Sequence, residues 1–140
     1  MTSGNSKSAT WEAYSTTTYR MKSEGSEDVE IRLQQRSPVP GPMAYITADN
    51  PGSRQLPVGE NDRRRAALRA ALTDSGYEVI SGESIDDDGS WPTERGFWIR
   101  GLNRDEARAM GGRFEQNAIL FVDAQSSVEL IDCRISDSSK

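Results

Sequence analysis

The sequence predicts an α+β domain: a mainly antiparallel sheet with two helices on one face, a ferredoxin-like split β-α-β core with extra strands at both ends. Three observations carry that expectation. From Met43 to Val122 the apolar patterning reads β-α-β-β-α-β, with one further strand on each side. The helices have local start or stop signals. Right-handed crossovers then fix direction, so the strands at Met43 and Tyr77 run one way and those at Phe97 and Ala118 the other.

Residues 1–10 are rich in Ser, Thr and Gly without apolar period and read as a disordered tail; 11–135 read as a single α+β domain and 136–140 as a frayed tail. Trp11, Tyr14 and Tyr19 stand among threonines and are expected in a short helix packed on the domain. Val29, Ile31 and Leu33 alternate with Glu30, Arg32 and Gln34, the period of a half-exposed strand. Prolines at 38, 40 and 42, with Gly41, make the next stretch a loop. Met43 to Ala48 is almost continuously apolar, as in a central strand buried on both faces.

Asp62 to Thr73 reads as a helix: Arg64, Leu68, Ala71 and Leu72 share one face, while Asp62, Arg65 and Arg69 face water. Gly76 follows as a left-handed cap. Tyr77 to Ile80 is a short strand, Ser81 to Ser90 an acidic loop and Phe97 to Arg100 a strand. Asn103 with Glu106 three residues on resembles a capping box and opens the second helix. Ala107, Met110 and Phe114 supply its apolar face, and Gly111 and Gly112 are expected to end it. Ala118 to Val122 is a buried strand and Val128 to Asp132 a less buried one.

Composition narrows the chemistry. A chain of 140 residues supports one domain with one core. The net charge of −5 argues against non-specific binding to nucleic acid or an anionic membrane. One cysteine and no histidine exclude an internal disulfide, a Cys/His zinc site and any nucleophile that needs an imidazole base. No cofactor or metal is expected. No apolar run approaches the ~20 residues that span a bilayer and there is no signal-peptide core, so a soluble, cytoplasmic protein is expected.

The most informative stretch is AYITADNPGSRQLPVGEN, from Ala44 to Asn61. A strand enters a loop of amides, a hydroxyl and a guanidinium, and the loop feeds a helix. By the strand directions above, this loop, the hairpin loop 81–95 and the link 111–117 converge at one end of the sheet. Thr47, Asn50, Ser53 and Arg54 are candidates for capturing an anionic or polar ligand, or else form a self-bonded loop around the Asn50-Pro51 turn. Asn61 and Arg64, one helical turn apart, either extend that pocket or act as a cap and a solvated ion pair. Glu94, beside Trp91 and Pro92, is the only plausible general base, or else an ion-pair partner of Arg54 or Arg64. Gln116 and Asn117 either read a ligand edge or satisfy backbone groups. Asp86, Asp88 and Gly89 echo a calcium loop, but Ser84 and Arg95 occupy its first and twelfth places and break the pattern. Cys133 reads as an inert packing thiol.

Several separated motifs occur together: AYITADNPGSR, EN at the helix start, WPTERGFWIRGL, the Ala107 helix and FEQNAILF. On these the chain resembles the bacterial family catalogued as domain of unknown function 3293, over roughly Tyr19 to Leu130. The bulky aromatic that the resemblance implies before Ile46-Thr47 is present as Tyr45. The run Asp86-Asp87-Asp88 is more acidic than the family pattern, so nothing is carried onto it. The resemblance implies no activity, cofactor or partner.

Two readings follow. In one, a polar Arg/Asn-rich pocket binds a small, partly anionic ligand such as a nucleotide or phosphorylated metabolite, with enzymatic turnover left open. In the other, the same residues form a structural network in a protein–protein interaction module, which binds its partner elsewhere. An open cavity favours the first and a filled, hydrogen-bonded cluster the second.

Overall fold

In the computed structural model of the protein, which describes residues 16–23 and 27–134, two helices flank one sheet of seven antiparallel strands. The strands are β1 (Thr17–Met21), β2 (Val29–Ile31), β3 (Met43–Ile46), β4 (Glu78–Asp86), β5 (Glu94–Arg100), β6 (Ala118–Val122) and β7 (Val128–Asp132). The helices are α1 (Val58–Asp74) and α2 (Arg104–Arg113). Across the sheet the order is β2-β1-β4-β5-β3-β6-β7.

The apolar strand β3 lies between β5 and β6, and all four of its residues are buried. Its side chains alternate between two cores. Ala44 and Ile46 join Phe97, Ile99, Ile119 and Phe121 on one face, where Leu68 and Leu72 of α1 and Ala107 of α2 cover them. Met43 and Tyr45 join Trp98, Leu120 and Val122 on the other.

The second face is closed by the ends of the sheet itself. Ile31 of β2 and Tyr19 and Met21 of β1 share its cluster with Leu120 and Val122 of β6. Backbone bonds from the Ser37 N–H to the Ser126 carbonyl and from the Gly41 N–H to the Asp123 carbonyl, both 2.9 Å, tie the two sides together. A row of aromatics lies inside: Tyr19 meets Tyr45 edge-on at 5.6 Å, and Tyr45 lies 5.3 Å from Trp98. Glycines admit these rings. A Cβ on Gly96 would stand 2.8 Å from the Tyr45 ring, and one on Gly82 would stand 2.7 Å from Trp98.

Several expectations hold and several change. The capping box of α2 is present: Asn103 accepts from the Glu106 N–H at 2.8 Å, and Glu106 accepts from the Asn103 N–H at 3.0 Å. Gly76 takes φ 86° just beyond α1. Tyr19, expected in a helix, is in strand β1, where threonines and alternating burial of Tyr19 and Met21 suit extended backbone. Ser81 to Asp86, expected as loop, continues β4, because β1 pairs with it from Thr17↔Asp86 to Met21↔Gly82. Gly111 and Gly112 lie within α2 rather than ending it. Gly111 is there for closeness: a Cβ would come within 2.7 Å of the Cys133 sulfur and of Ile119. Trp11, Tyr14 and both expected tails lie outside the described residues. Among the described residues no helix is long and apolar enough to cross a membrane.

Candidate functional site

Beyond β3 the chain turns through buried polar residues that must find partners. Thr47 donates its hydroxyl to the Arg95 carbonyl at 2.6 Å and accepts from the Asp49 N–H at 3.0 Å. Asp49, also buried, accepts both an Arg65 Nη2 contact at 3.0 and 3.1 Å and the Arg95 N–H at 3.2 Å. Asn50 sits at φ 50°, a left-handed conformation that asparagine tolerates better than most residues, and enters a single 3-10 turn at Pro51–Ser53.

Asn50 is the hub of the site. Its N–H donates to Asn61 Oδ1, its Oδ1 accepts from the Leu56 N–H and Asn61 Nδ2, and its Nδ2 donates to Glu94 Oε2, each at 2.9 Å. Trp91 Nε1 donates to the same Glu94 oxygen at 2.8 Å. Gln116 Nε2 donates to the Asp49 carbonyl at 3.1 Å. Arg64 reaches the Ala48 and Phe114 carbonyls and pairs with Glu115. The loop after β3, the β4–β5 hairpin and the link after α2 therefore meet at one end of the sheet, as the strand directions require.

Beside this network, on the face away from the helices, lies a cavity of about 230 Å³. Tyr19, Tyr45, Trp91, Leu120 and Leu130 give it an apolar wall; Thr47, Asn50, Glu94, Gln116 and Asn117 give it a polar one. Among the described residues its lining includes Asp86 and Glu94 and no Arg or Lys. Asp86 holds the hairpin turn, accepting from the Asp88 N–H at 3.1 Å and the Trp91 N–H at 2.9 Å. Glu94 takes both side-chain donors on Oε2; among the described residues its Oε1 accepts none. Burial pushes the Glu94 carboxyl above the usual range, reinforced by nearby Asp49 and opposed by the bonds from Asn50 and Trp91. Burial likewise holds the Tyr45 hydroxyl well above its usual range, while it donates to the Glu94 carbonyl at 3.2 Å.

The candidates therefore divide. Thr47, Asn50, Glu94, Gln116 and Asn117 reach the cavity wall. Asn61 and Arg64 do not; they tie backbone and loops together. Arg54, expected as the anion clamp or the partner of Glu94, is exposed, with no ion pair among the described residues. Its loop turns outward after the 3-10 turn. The Ser53 side chain lies outside the described residues. Glu94 belongs to strand β5 rather than to a loop, and its side-chain partners are neutral. Cys133 is buried and pushed up to about 11, chiefly by that burial. Sequence reasoning missed Tyr19, Leu120 and Leu130 as wall residues; the alternation of Tyr19 and Met21 was the available signal. It also placed Arg65 in water, whereas Asp49 holds it.

In comparison with known proteins, a family model described as "Protein of unknown function (DUF3293)" matches residues 46–119, which spans the loop after β3, α1, the β4–β5 hairpin and α2. No curated protein and no solved structure matches.

Proposed function

The chain belongs to the family DUF3293, a membership that brings no chemistry with it, and from the geometry we propose that it is a small-molecule-binding domain. The single observation behind the reading is the cavity of about 230 Å³, with a mainly apolar wall and a smaller polar network. Such pairing of aromatic surface with a few placed polar groups is the usual make-up of ligand sites. An apolar cavity of ~150 Å³ already holds a benzene-sized molecule. We read the β4-β5-β3-β6 core as the ferredoxin-like split β-α-β arrangement, with the helices supporting the wall from behind. The anionic ligand expected from Arg54 and Arg64 has weaker support, since neither arginine lines the cavity.

The polar residues serve two ends in this reading. Asn50, Asn61 and Arg64 form the filled structural network, and Glu94 joins that network to the open cavity. A thermal-shift screen of small metabolites tests the proposal, since a ligand of the native state raises the melting temperature. Hits should lose their shift in Ala118→Phe, which places a ring at a lining position of β6. Shifts that survive in a folded Ala118→Phe protein would place binding elsewhere.

A further inference from the structure

Resting on the cavity as a binding site, we infer that its ligand is a small organic cation, an ammonium or amidinium on an apolar body, held by Glu94 Oε1. Five of the side-chain donors around the cavity have protein partners. The Trp91 indole N–H and an Asn50 amide N–H go to Glu94 Oε2, at 2.8 and 2.9 Å. The Tyr45 hydroxyl goes to the Glu94 carbonyl at 3.2 Å and the Thr47 hydroxyl to the Arg95 carbonyl at 2.6 Å. The Gln116 amide goes to the Asp49 carbonyl at 3.1 Å. Two acceptors stand beside them. Neither Glu94 Oε1 nor Gln116 Oε1 receives a hydrogen bond among the described residues.

Charge agrees with this inventory. Among the described residues the lining holds two acidic residues, Asp86 and Glu94, and no cationic one. A half-buried carboxylate such as Glu94 gains from a partner that brings both charge and N–H donors. An anion entering here would face Asp86 and Glu94, with the Trp91, Tyr45 and Thr47 donors already bonded within the protein. The aromatic side of the wall suits the rest of such a ligand, because rings attract organic cations through their faces. Orientation is built in as well: Asn50 and Trp91 fix Oε2, so a ligand has one defined oxygen to meet.

The test compares three ring compounds of similar size and different charge, benzamidinium, benzyl alcohol and benzoate, by calorimetry or NMR titration up to millimolar concentration. Wild-type protein should bind benzamidinium at least about tenfold more tightly than benzyl alcohol, with benzoate weakest, as one charge-assisted bond requires. Glu94→Gln should remove the advantage of benzamidinium over benzyl alcohol. Benzoate binding as well as benzamidinium, with both abolished by Ala118→Phe, would overturn the cation assignment and leave the cavity reading standing. Absence of binding by all three would overturn both. The wild-type charge series decides the matter even if Glu94→Gln fails to fold.

Discussion

Asn50 Nδ2 donates to Glu94 Oε2 at 2.9 Å, joining the loop after β3 to the start of β5 across 44 residues of sequence. The bond is where structural network and cavity meet. It fixes one carboxylate oxygen, Oε2; among the described residues the other accepts no hydrogen bond.

Asn50→Ala should therefore be costly. It removes acceptors from the Leu56 N–H and Asn61, strips a donor from Glu94 and leaves a β-carbon residue at φ 50° without compensating bonds. Buried groups left unpaired cost about 1–3 kcal/mol each. Urea denaturation should show a loss of at least about 2 kcal/mol, and Asn50→Gly should recover only the smaller backbone part.

Arg65 and Arg54 should behave oppositely. The Asp49 side chain is 5% exposed and Arg65 19%, so Arg65→Ala strands a nearly buried carboxylate. Breaking such a pair costs about 3–5 kcal/mol. Arg54→Ala removes an exposed side chain without an ion pair among the described residues and should stay within about 0.5 kcal/mol. Chemical denaturation of the two variants side by side checks the ranking.

Glu94 makes stability fall as pH rises. Its carboxyl is raised in the folded state above the unfolded carboxylate value of roughly 4.3. The native state thus binds the proton more tightly than the unfolded chain. Its contribution is fully present below the unfolded value and is lost as pH climbs through the folded one. The stability difference between wild type and Glu94→Gln, measured from acid to neutral pH, should shrink in favour of the variant across that window. An opposite slope would mean that the bonds from Asn50 and Trp91 outweigh burial.

Gly96→Ala should disturb the cavity wall itself. The added Cβ would meet the Ile46 carbonyl oxygen at 2.6 Å and the Tyr45 ring at 2.8 Å. Overpacking of this kind costs about 1–3 kcal/mol. Near-ultraviolet circular dichroism should report the displaced aromatic row as well as the lower denaturation midpoint.

Legibility in the sequence followed locality. The capping box of Asn103 and Glu106 and the all-apolar β3 are local and were readable. The meeting of Asn50, Glu94 and Gln116 was also readable, because the directions of the strands bring their segments to one end of the sheet. Strand β1 was not: its polar residues are stabilised by pairing with β4, more than 60 residues away in sequence. The curl of the sheet depends on Gly82 and Gly96 admitting rings from other strands, which no local period reveals. Arg65 looked solvated because helical periodicity does not report a carboxylate arriving from another loop. Arg54 looked like a clamp because residue type in a loop does not say which way the loop turns.

The most direct measurement is the indole N–H resonance of Trp91 during titration with benzamidinium. That N–H bonds Glu94 Oε2 at 2.8 Å, whereas the Trp98 indole bonds the Arg20 carbonyl at 3.1 Å, away from the ligand. A cation at Glu94 should shift the Trp91 signal saturably, with companion shifts at Tyr45, Leu120 and Leu130, while Trp98 moves little. A static Trp91 signal, with shifts confined to the groove of Arg69, Arg95 and Lys22 beside α1, would contradict the account.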